Sequence, residues 1–237
     1  MKLQSVLAET DLILIGLGEA FQESFSELEI GKELKNTIFE EFARMQYLDN
    51  QRKGKIDHAY DILAELLKNK NYFLVTLCND DRIYRAALDR ERIVAPCGSY
   101  HTLQCEEVCT EEIYQAEIYL PEIKRKEEPC CPHCGKKLVM NHIGVSKYSE
   151  EGYLAQWNSY TNWLQSSLNK RIIVLELGVG LKYPSVFRWP AERIVFLNQK
   201  AKLIRVNADL PYLPEEIRDK GYSIQEDPVI FLLNQIV

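Results

Sequence analysis

Five of the seven cysteines lie between residues 105 and 134, four of them in two spaced pairs, and no other feature constrains the chain as tightly. Cys105-Glu106-Glu107-Val108-Cys109 places two thiols on one turn. Cys131-Pro132-His133-Cys134-Gly135 has the shape of a zinc knuckle, with a glycine behind the last thiol that lets backbone N–H groups approach the sulfurs. In a reducing compartment such clustering, with an odd total, points to a metal before disulfides. Four thiolates with no open position suit a closed tetrahedral Zn²⁺ site, which contributes on the order of 10–16 kcal/mol of folding free energy. The alternative is two unrelated pairs of buried or surface cysteines. Residues 99–144 also carry three prolines and the charged run Glu122 to Glu128, and are too poor in aliphatics to build their own core. They read as an insertion. Cys130 reads as a bystander, and His101 and His133 as surface residues rather than ligands.

The remainder must supply the main core, and at 46% hydrophobic content over 237 residues it has the material. Leu12-Ile13-Leu14-Ile15 is a continuous apolar run closed by Gly16-Leu17-Gly18, the pattern of a buried parallel strand entering a tight turn. Further strands are expected at 72–76, 92–95, 171–177 and 202–207. Helices are expected at 2–10, 33–48, 55–69, 80–88, 151–169 and 228–236. Residues 186–198 fit a strand or a buried helix equally. The alternation argues for an α/β fold with a Rossmann-like, doubly wound parallel sheet. Its domain is discontinuous, residues 1–98 and 145–237, interrupted by a small zinc-binding module at 99–144. Trp157, Tyr160 and Trp163 sit at helical spacing and read as core packing.

Two of these strands end in Gly-x-Gly turns, at Gly16-Leu17-Gly18 and Gly178-Val179-Gly180. Such turns let a backbone approach a pyrophosphate in the crevice at the strand ends. A plain strand-to-helix turn stays open for the first, because the third glycine is missing and Glu19 sets a carboxylate where a phosphate would be expected. Glu176 and Lys182 fit surface charges as well as site groups.

The net charge of −6, from 29 basic and 35 acidic residues, lacks the basic footprint of a nucleic-acid or anionic-membrane binder. No apolar run approaches the ~18 residues that suggest a membrane span. The start reaches Glu9 and Asp11 before any long apolar stretch, unlike a signal peptide, so a cytoplasmic location is expected. Ser-His-Asp order, a P-loop and a paired-histidine zinc-protease motif are all missing.

Taken in order, the first Gly-x-Gly turn, Thr76-Leu77-Cys78-Asn79-Asp80, the stretch Cys97 to Cys105, the knuckle and Leu175-Glu176-Leu177-Gly178-Val179-Gly180 with Tyr183-Pro184 resemble the sirtuins. The details are most similar to the microbial class M sirtuins. The resemblance is good over residues 72–237 and thin over 1–71. It implies a Rossmann-like domain with a small zinc module, and cleavage of NAD at the nicotinamide bond. ADP-ribose then passes to an acyl-lysine oxygen or a protein side chain. It would put Gly16 and Gly18 under the NAD phosphates, Asp80 near the nicotinamide, and Gly178, Val179, Gly180 and Asn207 around the adenosine half. Cys105, Cys109, Cys131 and Cys134 match the zinc ligands one for one.

The departures fall on the chemistry. The family's catalytic Asn position holds Cys78, and its general-base position, His in most members and Gln in class M, holds Cys97. A thiol is a poor hydrogen-bond substitute for an amide or imidazole. Ordinary deacylation is therefore expected to be lost or very slow. Two functions stay open. One is a divergent NAD-dependent ADP-ribosyltransferase or deacylase acting on a protein acceptor, with Cys78, Asp80 and Cys97 as the candidate catalytic positions. The other is a non-catalytic module that binds NAD, ADP-ribose or a protein partner. Cys78 and Cys97 read as apolar packing, or as a thiolate base and a redox pair.

Overall fold

The computed structural model describes residues 2–235. Nine strands form its two sheets: β1 (Leu12–Leu17), β2 (Tyr72–Thr76), β3 (Ile93–Val94), β4 (Gly98–Cys105), β5 (Tyr114–Gln115), β6 (Leu138–His142), β7 (Ile172–Leu177), β8 (Lys202–Val206) and β9 (Gly221–Ile224). Six of them pair in parallel in the order β3-β2-β1-β7-β8-β9. The order reverses between β1 and β7, the switch point at which doubly wound sheets open a crevice beyond their carboxyl ends.

The apolar runs form these strands because both faces are covered, so every position of β1, β2 and β7 is buried. Successive side chains go to opposite faces. Ile13, Ile15 and Leu17 of β1 join a core with α1 (Leu3–Ala8), α3 (Lys55–Leu67) and α7 (Pro228–Leu233). Leu12 and Leu14 join a second core, under α5 (Leu154–Gln165) and α6 (Arg188–Leu197). Tyr160 belongs to that core, with Trp157 and Trp163 packed against it. The ambiguous segment 186–198 is thus a helix, with Ala191 and Val195 facing the sheet and Phe196 and Leu197 exposed.

The second sheet is antiparallel, in the order β5-β4-β6. Its strands were not expected, since their composition is mixed and one face is polar. Tyr100, Leu103, Tyr114, Leu138 and Met140 pack against Phe42, Met45 and Leu48 of α2 (Ile38–Asn50). The short α4 (Leu120–Lys124) lies beside them. The small sheet thus finds its core by borrowing the face of a helix remote in sequence.

Two helices are shorter than their apolar spacing suggests. Asn36 has φ 61°, a left-handed backbone that separates residues 32–34 from α2. Asp81 has φ 56°, and the segment 80–88 keeps only a tight turn at Arg82–Arg85. The last parallel strand, β9, was also not expected. It is four residues long and half polar. Among the described residues no helix is long and apolar enough to cross a membrane.

Candidate functional site

Both glycine turns sit at the switch point, and they touch. Gly18 N–H donates to the Leu177 carbonyl at 2.9 Å. A Cβ on Gly18 would lie 2.1 Å from the Gly178 carbonyl oxygen, so only glycine permits this approach. Gly178 adopts φ +65°, and a Cβ there would meet Ala20 at 2.5 Å. Gly16 has a different task. It lies within β1, and a Cβ on it would strike the Phe187 ring at 2.2 Å. Its missing side chain makes room for the entry to α6, on a face of the sheet rather than at its edge.

The second turn is held from below by a buried charge network. Glu176 of β7 and Arg205 of β8 are register partners, both fully buried. Arg205 donates to Glu176 at 2.7 and 2.8 Å and to Glu192 at 2.7 Å. Arg188 donates to Glu176 at 3.1 Å and to the Val179 carbonyl at 2.9 Å. Asn207 donates to the same carbonyl at 3.0 Å, while its own oxygen accepts from the N–H groups of Asp209 and Leu210. The carbonyl of Val179 therefore has two donors. With that carbonyl tied down, the Gly180 N–H is free to face Glu19, whose carboxylate accepts it at 2.9 Å.

The segment after β2 forms the adjoining wall. The Cys78 thiol donates to the Gly18 carbonyl at 3.3 Å. Asn79 N–H donates to the Gln22 side chain at 3.0 Å. The Asp80 carboxylate accepts from Glu23 N–H at 2.8 Å and Arg82 N–H at 3.2 Å. The chain leaving the first turn is thus laid directly over the β2 motif. Phe21 leaves the crevice and stacks on Tyr60 in the core, with ring centroids 5.4 Å apart.

Burial governs the titration of this wall. It pushes the Asp80 carboxyl up to about 7, against the pull of the Arg82 N–H. It raises the Cys78 thiol, with Asp80 adding to the effect. Cys97 is raised to about 12 by burial and then by the Glu19 charge, with Lys182 opposing. Both thiols are buried, in the cores on opposite faces of the sheet, which fits apolar packing.

The four paired cysteines converge. The sulfurs of Cys105, Cys109, Cys131 and Cys134 all lie within 4.8 Å of one another. Cys105 and Cys134 are 3.5 Å apart, and Cys109 and Cys131 are 3.6 Å apart. Tetrahedral thiolates about 2.3 Å from a Zn²⁺ ion stand about 3.8 Å from each other, so the set fits such an ion. Cys131 is brought down to about 6, because the N–H groups of Cys134 and His133 and the neighbouring thiols outweigh its burial. Cys130 is exposed and turned toward the Glu128 carbonyl, outside the set.

No protein-family model matches the chain. A protein ADP-ribosyltransferase of Staphylococcus aureus (strain Mu50 / ATCC 700699) is 22% identical over 267 residues, covering 95% of this chain and 83% of that protein. A probable bifunctional ADP-ribose hydrolase/ADP-ribosyltransferase of Fusarium oxysporum f. sp. cubense is 29% identical over 184 residues, covering 69% of this chain and 31% of that protein. A sirtuin structure on the basis of substrate affinity superposes with a TM-score of 0.66 at 17% identity, covering 99% of this chain and 96% of the other. A Sir2 complex with a p53 peptide and NAD⁺ gives 0.64 at 15% identity, covering 98% and 95%. The chain has the sirtuin fold.

Within that fold, Gly18, Gly178, Val179, Gly180 and Asn207 come together at the switch point, and Asp80 and Cys78 stand beside them. Gly16 does not join them. Glu176 is no surface charge, and the network beneath it was missed in the sequence. Its signal was there: Glu176 is the single charge of β7, and Arg205 lies within the apolar part of β8. His101 also departs from its reading as a surface residue. It is half-buried between Asp49 at 2.8 Å and Asp81 at 3.1 Å, and ties α2 to β4. Burial lowers its pKa, but the two carboxylates outweigh burial and raise it to about 9. His133 stays on the surface, paired with Glu112.

Proposed function

We propose that this chain binds NAD through its ADP-ribose half at the β1–β7 switch point and transfers ADP-ribose to a protein side chain. The observation that carries this reading is the Gly180 N–H, which already holds an anionic oxygen, that of Glu19. A carboxylate accepting this N–H acts as an internal stand-in for a phosphate oxygen, so the cradle fits an anion. Gly178 and Gly180 would hold the diphosphate, Asn207 would fix the turn beside the adenosine half, and Asp80 would stand near the nicotinamide. Bound NAD supplies the labile glycosidic bond. This chain's residues orient the cofactor and exclude water from it.

The names of the two curated relatives support ADP-ribosyl transfer over deacylation. So does the chemistry of the base position. With the Cys97 pKa near 12, only about one thiol in 10⁵ is ionised at pH 7, too little for a general base. We also propose that Cys105, Cys109, Cys131 and Cys134 hold a structural Zn²⁺. We divide the chain into a sheet domain, 1–98 and 145–237, and a zinc module, 99–144, with α2 packed on the module.

A second reading, a binding module without turnover, is favoured by one observation. Asp80 already accepts an N–H on each carboxylate oxygen, from Glu23 and Arg82, and these bonds compete with acceptance of a nicotinamide amide N–H. Incubation with NAD labelled in the nicotinamide ring, with and without candidate acceptor proteins, separates the two. Nicotinamide release with labelled acceptor supports transfer. Saturable NAD binding with no release supports the binding module. Absence of binding contradicts both.

A further inference from the structure

Glu19 occupies the donor that a diphosphate would need. Its Oε2 accepts the Gly180 N–H at 2.9 Å, bridging the two glycine turns across the switch point. A Cβ on Gly180 would already stand 3.1 Å from that oxygen, so nothing fits between them. The other oxygen, Oε1, is buried and has no hydrogen-bond partner among the described residues. A buried acceptor left without a donor is unfavourable. The closed arrangement is therefore held at a cost that departure into solvent would relieve. The residue itself is only half-buried and Ala20 beside it is exposed, so a way out exists.

The charges around it complete the picture. After burial, the Glu19 charge adds most to the rise of Cys97. Lys182, two residues beyond Gly180, opposes that rise. Lys182 is exposed and lies over the Tyr183 ring at 5.1 Å. Glu19 thus takes the backbone N–H for its partner, and Lys182, two residues further on, stays exposed.

We infer that Glu19 is the specificity-determining residue of this site, a carboxylate latch that must swing out before a nucleoside diphosphate can take the Gly180 N–H. The inference rests on the proposed binding of ADP-ribose at the switch point. Closed, the site refuses anions through like charge and an occupied donor. Open, it presents Gly180 N–H and Lys182 to the phosphates. Ligands with no phosphate gain nothing from opening.

The test compares the zinc-loaded wild-type chain with Glu19→Ala and Glu19→Gln by calorimetric titration with ADP-ribose and with adenosine. A hydrogen bond to a charged acceptor is worth about 1.5–3 kcal/mol, so removing the latch tightens ADP-ribose binding by about 10- to 100-fold in Glu19→Ala. Glu19→Gln keeps an acceptor for the N–H but loses the charge, and falls between. Adenosine affinity stays equal in all three. Equal ADP-ribose affinities in the three proteins overturn the latch and leave the cofactor reading standing. A parallel tightening for adenosine overturns it too, since the gain then has nothing to do with phosphate. If none of the three proteins binds ADP-ribose, the cofactor reading itself fails and takes the latch with it.

Discussion

Cys97 carries the plainest chemistry at the residue scale. A buried thiol with a pKa near 12 reacts only through a minute thiolate fraction. We expect iodoacetamide to label the exposed Cys130 quickly at pH 7.5 and Cys97 on the timescale of unfolding. Mass spectrometry of tryptic peptides over time checks this, and rapid labelling of Cys97 would restore it as a candidate base. His101 is the second residue-scale case. Its folded pKa of about 9 lies above the ordinary value of 6.5. The stability it adds is therefore complete below about pH 6.5 and is lost as pH rises through about 9. Urea midpoints at pH 6 and pH 9.5 should differ more for the wild type than for His101→Gln. Equal differences would mean that Asp49 and Asp81 do not hold a charged imidazole. Sequence could not deliver this pairing, because Asp49, Asp81 and His101 lie on three separate segments.

At the scale of elements, the strands were legible wherever the chain is buried on both faces. Leu12-Ile13-Leu14-Ile15 and Ile172-Ile173-Val174-Leu175 leave little choice of structure. The strands β4, β6 and β9 carry His101, Gln104, Asn141 and Ser223, and none holds an apolar run longer than the three residues Leu138-Val139-Met140. Local polar capping also overrode periodicity, as at Asp80, whose carboxylate takes the Arg82 N–H and leaves only a tight turn. The pair of β7 and β8 has a property that apolar patterning hides. Glu176 and Arg205 face each other inside the sheet and support the turn that follows β7. Removing Arg205 takes two hydrogen bonds from the buried Glu176 carboxylate and leaves it Arg188 alone. Arg205→Met should therefore cost about 3–5 kcal/mol in chemical denaturation. Glu176→Gln with Arg205→Met should recover part of that loss. A single-variant loss below about 1 kcal/mol would mean that the network is solvated.

The whole molecule joins two cores that need each other. The small sheet has an apolar face only because α2, drawn from residues 38–50, covers it, and its far end is closed by four thiols. The cysteine spacing made that end readable in the sequence, whereas nothing local showed that the helix expected at 33–48 would cover the small sheet. We expect one equivalent of zinc per chain by atomic emission, and a stripped protein that proteases cut within 99–144 while the parallel sheet persists. A metal-free chain that resists proteolysis there would place the stability in α2 packing alone. The parallel sheet in turn presents Gly18 and Gly178 to Gly180 at one crevice, with Glu19 across it. That crevice is the centre of the account. The most direct test is an NMR titration of the amide-labelled chain with ADP-ribose, following the Gly180 N–H. If ADP-ribose binds at the switch point, Gly180 shows a saturable shift, accompanied by Gly178 and Asn207. Shifts confined to other faces of the molecule, with Gly180 unmoved at saturating ligand, would contradict it.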